Sequence, residues 1–412
     1  MTATSRGRFR SLRNANYRIW AAGALVSNIG TWMQRTAQDW IVLTELTDRN
    51  ATSMGIVMGL QFGPQLLMLP LTGYAADHFN RRKLIFCTQV AMGLLALGLG
   101  LLTVTGLVKL WHVYIFAFLL GCAAAFDAPA RQTFVAELVE ERDLPNAVGL
   151  NSTSFNAARM FGPALAGLLI SAVGSGWVFL INAVSFLAVL GSLVALRPHR
   201  LRPTQRAVRA RGSFVEGFRY VLRRSDLKLI LFMLFVISTF GLNFTIFIST
   251  MAVKVFGAGA GQYGLLTSML AAGSVTGALM TAARAKPSIA VLLVGALMFA
   301  AGCTAAALMP SYFLFGAMLF VIGISVQTLT TTTSTLVQTS TEPAMRGRVI
   351  AILMAIIFGG TPIGSPIAGW IADHFGPRWA LGVGSLSGLV AAVAAAIYLA
   401  KTRGAAADAR AV

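Results

Sequence analysis

Apolar residues gather into twelve long blocks, separated by short stretches that are basic, polar or interrupted by Gly and Pro. The blocks cover about 18–44, 52–76, 84–106, 111–131, 145–171, 176–196, 227–252, 261–283, 288–309, 311–338, 346–372 and 378–400. A helix needs about 20 mostly apolar residues to cross the hydrocarbon of a bilayer, and each block is long enough. The pattern predicts an all-α membrane protein with twelve transmembrane helices. The longest polar stretch, 197–226, splits them into two sets of six. The expected order is a cytoplasmic N-terminal segment (1–17), a six-helix bundle (18–196), a cytoplasmic linker (197–226), a second six-helix bundle (227–400) and a cytoplasmic tail (401–412). The linker is basic at first and becomes amphipathic from Phe214, with Phe218, Val221 and Leu222 on the same face. It reads as a segment held at the anionic leaflet.

Composition agrees with the pattern. The chain is 56% hydrophobic and 11% charged, with a mean hydropathy of +0.73, whereas soluble domains carry about 25% charged residues. The net charge of +19 punctuates apolar segments instead of covering a soluble surface, which argues against nucleic acid. Of the 33 Lys and Arg residues, Arg49, Lys109, Lys254 and Arg378 fall in outer loops and Arg35 and Arg159 within spans; the others lie on the inner side. That asymmetry follows the positive-inside rule with both termini in the cytoplasm, as in a multi-pass protein of a bacterial cytoplasmic membrane. The arginines ahead of the first span resemble a signal-peptide start, but the apolar run is too long and lacks a cleavage site, so an uncleaved helix is expected. Cys87, Cys122 and Cys303 have no ligand-like spacing, and the four histidines fall at segment ends or in loops. Neither a metal nor a cofactor is expected.

The two halves are alike. At one constant offset Gly121 matches Gly323, Glu140 matches Glu342, Gly162 matches Gly364, Ala166-Gly167 match Ala368-Gly369, and Trp177 matches Trp379. Duplicated sets of spans suggest a transporter with a central site, not a channel or a membrane enzyme.

After span two comes GYAADHFNRRK, 73–83. It resembles the loop signature of the major facilitator superfamily, G-x-x-x-D-x-x-G-R-[RK]-x-[RK]. Gly73, Asp77, Arg81 and Arg82 match, and Asn80 stands where glycine is usual, a mild change because Asn tolerates left-handed backbone. In span five ARMFGPALAG (158–167) resembles the family's antiporter motif through Gly162, Pro163 and Gly167, with Ala158 and Ala166 replacing glycines. FLLGCAAAFDAPARQTF (118–134), LRNANYRIW (12–20), GTWMQRTAQDW (30–40) and FNAARMFGPALAG (155–167) resemble the branch that contains the bacterial enterobactin exporter. The resemblance implies a two-bundle fold, alternating access and exchange of substrate for protons. It also implies an inner-face latch built on Gly73, Asp77, Arg81 and Arg82. Asp127, near the inner end of span four, is the expected partner of Arg81, and span eleven opens with Arg346 and Arg348. The competing reading is a solvated loop whose arginines set topology.

Ionisable groups at bilayer depth are expensive and face the interior of a bundle. Here they are Arg35, Asp39 and Arg159. Asn28, Arg35 and Asp39 form one stripe on span one, with Thr31, Gln34 and Gln38 adjacent. Asp39 is the expected proton carrier, its protonation set by how closely Arg35 or Arg159 approaches. A permanent Arg35–Asp39 pair is the alternative. Two arginines against one aspartate leave the region positive, which points to an anionic or acceptor-rich substrate. Span ten holds QTLTTTTSTLVQTS, 327–340, so Gln327 and Thr331 are expected to form a second polar wall, extended by Asn243 and Thr239 on span seven. The alternative there is hydroxyls bonded to their own helix.

The expectation is a proton-coupled antiporter that exports a small molecule, with protons and membrane lipid as its other partners and a monomer as its unit. An uptake symporter of the same fold, or a non-transporting receptor or assembly factor, stays open. No nucleophile–base spacing, metal cluster or nucleotide loop suggests an enzyme.

Overall fold

The computed structural model describes residues 9–197, 201, 214–283 and 287–411. The first eight residues, most of the first half of the linker (198–200 and 202–213), residues 284–286 and Val412 lie outside the described residues, as do the side chains of Gly73, Asp77 and the tail beyond Thr402. Among the described residues all regular structure is helical. The α-helices are α1 (Ala15–Thr44), α2 (Ala51–Leu67), α3 (Leu69–His78), α4 (Arg81–Val104), α5 (Leu110–Leu138), α6 (Leu144–Val173), α7 (Ser175–Ala195), α8 (Phe214–Arg223), α9 (Ser225–Val236), α10 (Phe244–Thr250), α11 (Ala260–Ala282), α12 (Ile289–Leu308), α13 (Tyr312–Ser340), α14 (Pro343–His374) and α15 (Pro377–Ala411). Helix starts carry the residues that satisfy free N–H groups. Asn14 accepts from Asn16 and Tyr17, Asn80 from Lys83, and Ser288 from Val291.

Among the described residues ten helical segments are long and apolar enough to cross a membrane. The other two expected spans are helical too but differ in kind. α1 has 30 residues and carries the polar stripe. The second expected span is broken into α2 and α3 at Met68, ahead of Pro70.

The chain groups into two compact units, residues 1–46 with 64–209 and residues 47–63 with 210–412. In the first, α1 packs on α6 and α7, α4 on α5 and α7, and α3 on α5. In the second, span seven (α9, α10 and their connecting turns) packs on α14 and α15, α12 on α13 and α15, and α11 on α13. These are the same pairings one repeat later, so the internal sequence match is a match of packing. Tyr17, Trp20, Phe134 and Leu138 form a core in the first unit, where the Tyr17 hydroxyl donates to the Ala147 carbonyl at 2.8 Å.

Span seven, expected as one helix, changes winding twice. π-helical turns occupy Ile237–Gly241 and Met251–Val255 on either side of α10. Such turns free backbone groups that neighbours must satisfy. Asn243, fully buried, donates through Nδ2 to the Thr239 carbonyl at 2.7 Å, and its Oδ1 accepts from Ser365 Oγ at 2.8 Å. Gly364 lies directly against the Thr239 carbonyl, leaving no space for a Cβ.

Gly364→Ala is therefore expected to destabilise the purified protein by about 1–3 kcal/mol or more through overpacking. Gly191→Ala in α7, where an added Cβ meets nothing within 4 Å, leaves stability unchanged or slightly raised. Thermal unfolding of the two variants in detergent, side by side, checks the contrast.

Candidate functional site

The polar stripe of α1 divides by burial. Gln34 and Gln38 are almost fully buried and Asn28 nearly so, while Thr31, Arg35 and Asp39 are half-buried. Gln34, expected at a cavity wall, turns instead into the bundle and accepts from Asn182 Nδ2 on α7; Asn182 Oδ1 in turn accepts from Ser185 Oγ at 2.9 Å. The reason is helical phase. Residue 34 shares its face with Gly30, which meets Asn182 and Ser185 at the α1–α7 crossing. Arg35 lies on a different face, with its guanidinium 5.0 Å from the Trp32 ring centroid, and Trp32 meets Phe155 of α6 edge-on at 5.8 Å. Asp39 lies one turn further along the same helix.

α6 brings the third charge. Its Ala158, Gly162, Pro163, Ala166 and Gly167 are buried. A Cβ on Gly162 would lie 2.6 Å from Trp32 Cβ, so the antiporter-like face is the one that meets α1. The helix runs unbroken through Pro163. Arg159 shares that face one turn earlier. Arg159 is half-buried; its Nε and Nη2 are buried and have no hydrogen-bond partner among the described residues, which leaves two donors available.

At the inner loop the structure corrects the expected pairing of Arg81 with Asp127. Arg81 Nη1 donates to Glu137 Oε1 at 2.7 Å. Asp127 is buried and accepts from Thr88 Oγ1 at 2.7 Å and Gln89 Nε2 at 2.9 Å, with Arg131 Nη1 at 3.7 Å on its own helix. Antiparallel register explains this. Residue 81 opens α4 and meets the end of α5, whereas Asp127 lies far enough back along α5 to face residues two turns into α4. Asn80 also acts differently from the expectation. Its backbone is extended, not left-handed, and its side chain caps α4. Arg82 is half-buried beside Asn80 and Lys83.

In the second unit Gln327 Nε2 donates to Thr331 Oγ1 at 2.9 Å, one turn on, and Thr330, Thr335, Thr339 and Thr341 bond back to carbonyls of α13. Asn243 is a structural pin at the break in span seven. Arg346 is exposed, and Arg348 Nη2 lies 3.2 Å from Glu216 Oε2 on α8. Glu137, Asn182 and Ser365 are the working partners that residue type alone did not single out. Register counted across neighbouring spans would have found Glu137.

A family profile described as transmembrane secretion effector matches residues 6–411. The staphyloferrin A transporter of Staphylococcus aureus is 26% identical over 353 residues, covering 84% of this chain and 87% of that protein. The multidrug efflux pump Tap of Mycolicibacterium fortuitum is 24% identical over 365 residues, covering 86% and 88%. Among solved structures, a bacterial homologue of the human lysosomal transporter Spinster, inward-facing and occupied, superposes with a TM-score of 0.69 at 17% identity over 97% of this chain and 98% of that one.

The Arg81–Glu137 contact is testable by itself. Arg81→Glu and Glu137→Arg should each lower stability, and the swapped double variant should recover a coupling of about 1 kcal/mol. Coupling of that size between Arg81 and Asp127 would contradict the geometry. Thermal unfolding of the four proteins of each cycle measures it.

Proposed function

Because the chain belongs to the transmembrane secretion effector family of major facilitator transporters, we propose that it is a proton-coupled antiporter that exports a small molecule by alternating access. Asp39 carries the proton in this reading and Arg35 tunes it. The observation that carries the proposal is a half-buried carboxylate one helical turn from a half-buried arginine on α1, a helix crossed by the Gly162–Gly167 face of α6. A proton taken up by Asp39 removes the partner charge of Arg35, and losing it restores the pair. That gives two states of different charge within one helix, which is what coupling to a proton gradient requires.

The substrate is anionic or rich in acceptors. The buried donors of Arg159 support this, since an unanswered guanidinium in a low-dielectric setting favours a ligand that brings negative charge. Relatives named as a staphyloferrin A transporter and as a multidrug efflux pump support a small-molecule cargo. Transport direction separates export from the uptake alternative, and inverted membrane vesicles report it directly.

Asp39→Asn is expected to abolish proton-coupled flux while leaving the protein in the membrane. Acidification of inverted vesicles, followed with a pH-sensitive dye as a metabolite library is added, reads this; a fully pH-dependent response in the variant rejects the role. Arg159→Gln should weaken binding of anionic library members by roughly 10–100-fold, the range expected for losing hydrogen bonds to a charged group. A preference of the parent protein for cations on a matched scaffold would overturn the substrate class.

A further inference from the structure

One carboxylate outside the stripe collects four donors. Asp373, in the last turn of α14, accepts from the backbone N–H of Ala51 at 2.9 Å and of Thr52 at 2.8 Å. It also accepts from Thr52 Oγ1 and from Lys254 Nζ, each at 2.7 Å. Ala51 and Thr52 are the first two residues of α2, whose leading N–H groups have no partner within the helix. Asn50 takes the third, accepting from the Ser53 N–H at 2.7 Å. Asp373 therefore caps α2 from another part of the chain, where the helix dipole also favours a negative charge.

The crossing beneath this cap is tight. Gly369 lies against the Ala51 carbonyl, and Gly55 lies against the Ser365 carbonyl, with no room for a Cβ at either. One turn into α2, Met54 is fully buried and its sulfur accepts from Ser249 Oγ at 3.2 Å. The bonded segment is the part of the helix, residues 47–63, that groups with the second unit, whereas α3 groups with the first.

The sequence around Asp373 repeats the inner loop. GYAADHFNRR (73–82) and GWIADHFGPR (369–378) share the glycine, Ala-Asp-His-Phe and the final arginine. In both, the helix ends at the histidine and the phenylalanine N–H closes it, Phe79 onto Ala75 and Phe375 onto Ile371. Span two ends on the inner side and span eleven on the outer, by the charge asymmetry of the loops. The chain thus carries one aspartate motif at each membrane face.

We propose that Asp373 is the outer-face latch of the transport cycle: it holds the N-terminus of α2 against α14 and Lys254, and lets it go when the outer side opens. This rests on the transport reading above. Its four hydrogen bonds are the specific contacts that must break for residues 51–63 to leave α14. The glycine crossing makes the closed position well defined, and Lys254 Nζ, donating to Oδ1, helps aim the carboxylate at α2.

The test uses the full chain with Cys87 and Cys122 replaced by Ser and Ser249→Cys introduced beneath Met54. Buried Cys303 is kept as an internal control. Intact cells are treated with a membrane-impermeant maleimide. Asp373→Asn is expected to speed labelling at 249 by about tenfold, reflecting a shift toward the open position. Lys254→Gln and Thr52→Val should speed it less, and labelling at Cys303 should stay unchanged. Equal rates at 249 in all these variants overturn the latch, and so does a parallel rise at Cys303, which would mark general loosening. If Asp373→Asn does not reach the membrane, Lys254→Gln and Thr52→Val decide. Labelling needs neither substrate nor proton flux, so it can fail while transport is found, or succeed while Asp39→Asn leaves flux intact.

Discussion

A backbone amide in hydrocarbon has no water to turn to, and the architecture follows from meeting that demand within the chain. Helices satisfy all but their ends and breaks. The informative side chains are therefore the ones found at ends and breaks. Asn14 and Asn80 cap helix starts, Asn243 and Ser365 hold the π-wound turn of span seven, and Asp373 caps α2 from a distant helix. None of these residues is apolar, yet each is what allows an apolar segment to be placed.

Charges obey the same demand more strictly, because an unpaired charge at low dielectric is far more expensive than an unpaired amide. Asp127 and Asp373 have their oxygens committed as acceptors to several donors, Thr88 and Gln89 for the first, Ala51, Thr52 and Lys254 for the second. A carboxylate held that way fastens one element to another. Asp39 stands in a different setting, beside an arginine of its own helix that also stacks on Trp32. The aromatic face gives the guanidinium a source of stabilisation besides any carboxylate.

Much of the architecture was legible because it depends on period and repetition. The apolar blocks correspond to helices, and the match of Gly162 with Gly364 reappears as equivalent packing of α6 on α1 and of α14 on span seven. What was not legible depends on phase and register between helices. Gln34 and Arg35 are adjacent in sequence, but only Gln34 faces Asn182. Arg81 and Asp127 lie toward the same end of packed α4 and α5, yet two turns of offset give Arg81 to Glu137 and Asp127 to Thr88 and Gln89. The winding of span seven was hidden for another reason. π-turns leave no compositional mark, and only the Asn243–Ser365 contact and the close approach of Gly364 reveal them.

These constraints bear on substrate chemistry through what the bundle leaves unanswered. Each buried polar group with a protein partner is used up for recognition, since turning it toward cargo would break the fold locally. Gln34 and Asn243 fall in that class, and so do the threonines of α13 that bond back to their own helix. Arg159 does not, because its Nε and Nη2 are buried with no acceptor among the described residues. Buried donors without a partner call for a specific cause. Fold alone does not decide recognition, because proteins similar to this chain over most of its length carry names as different as staphyloferrin A transporter and multidrug efflux pump.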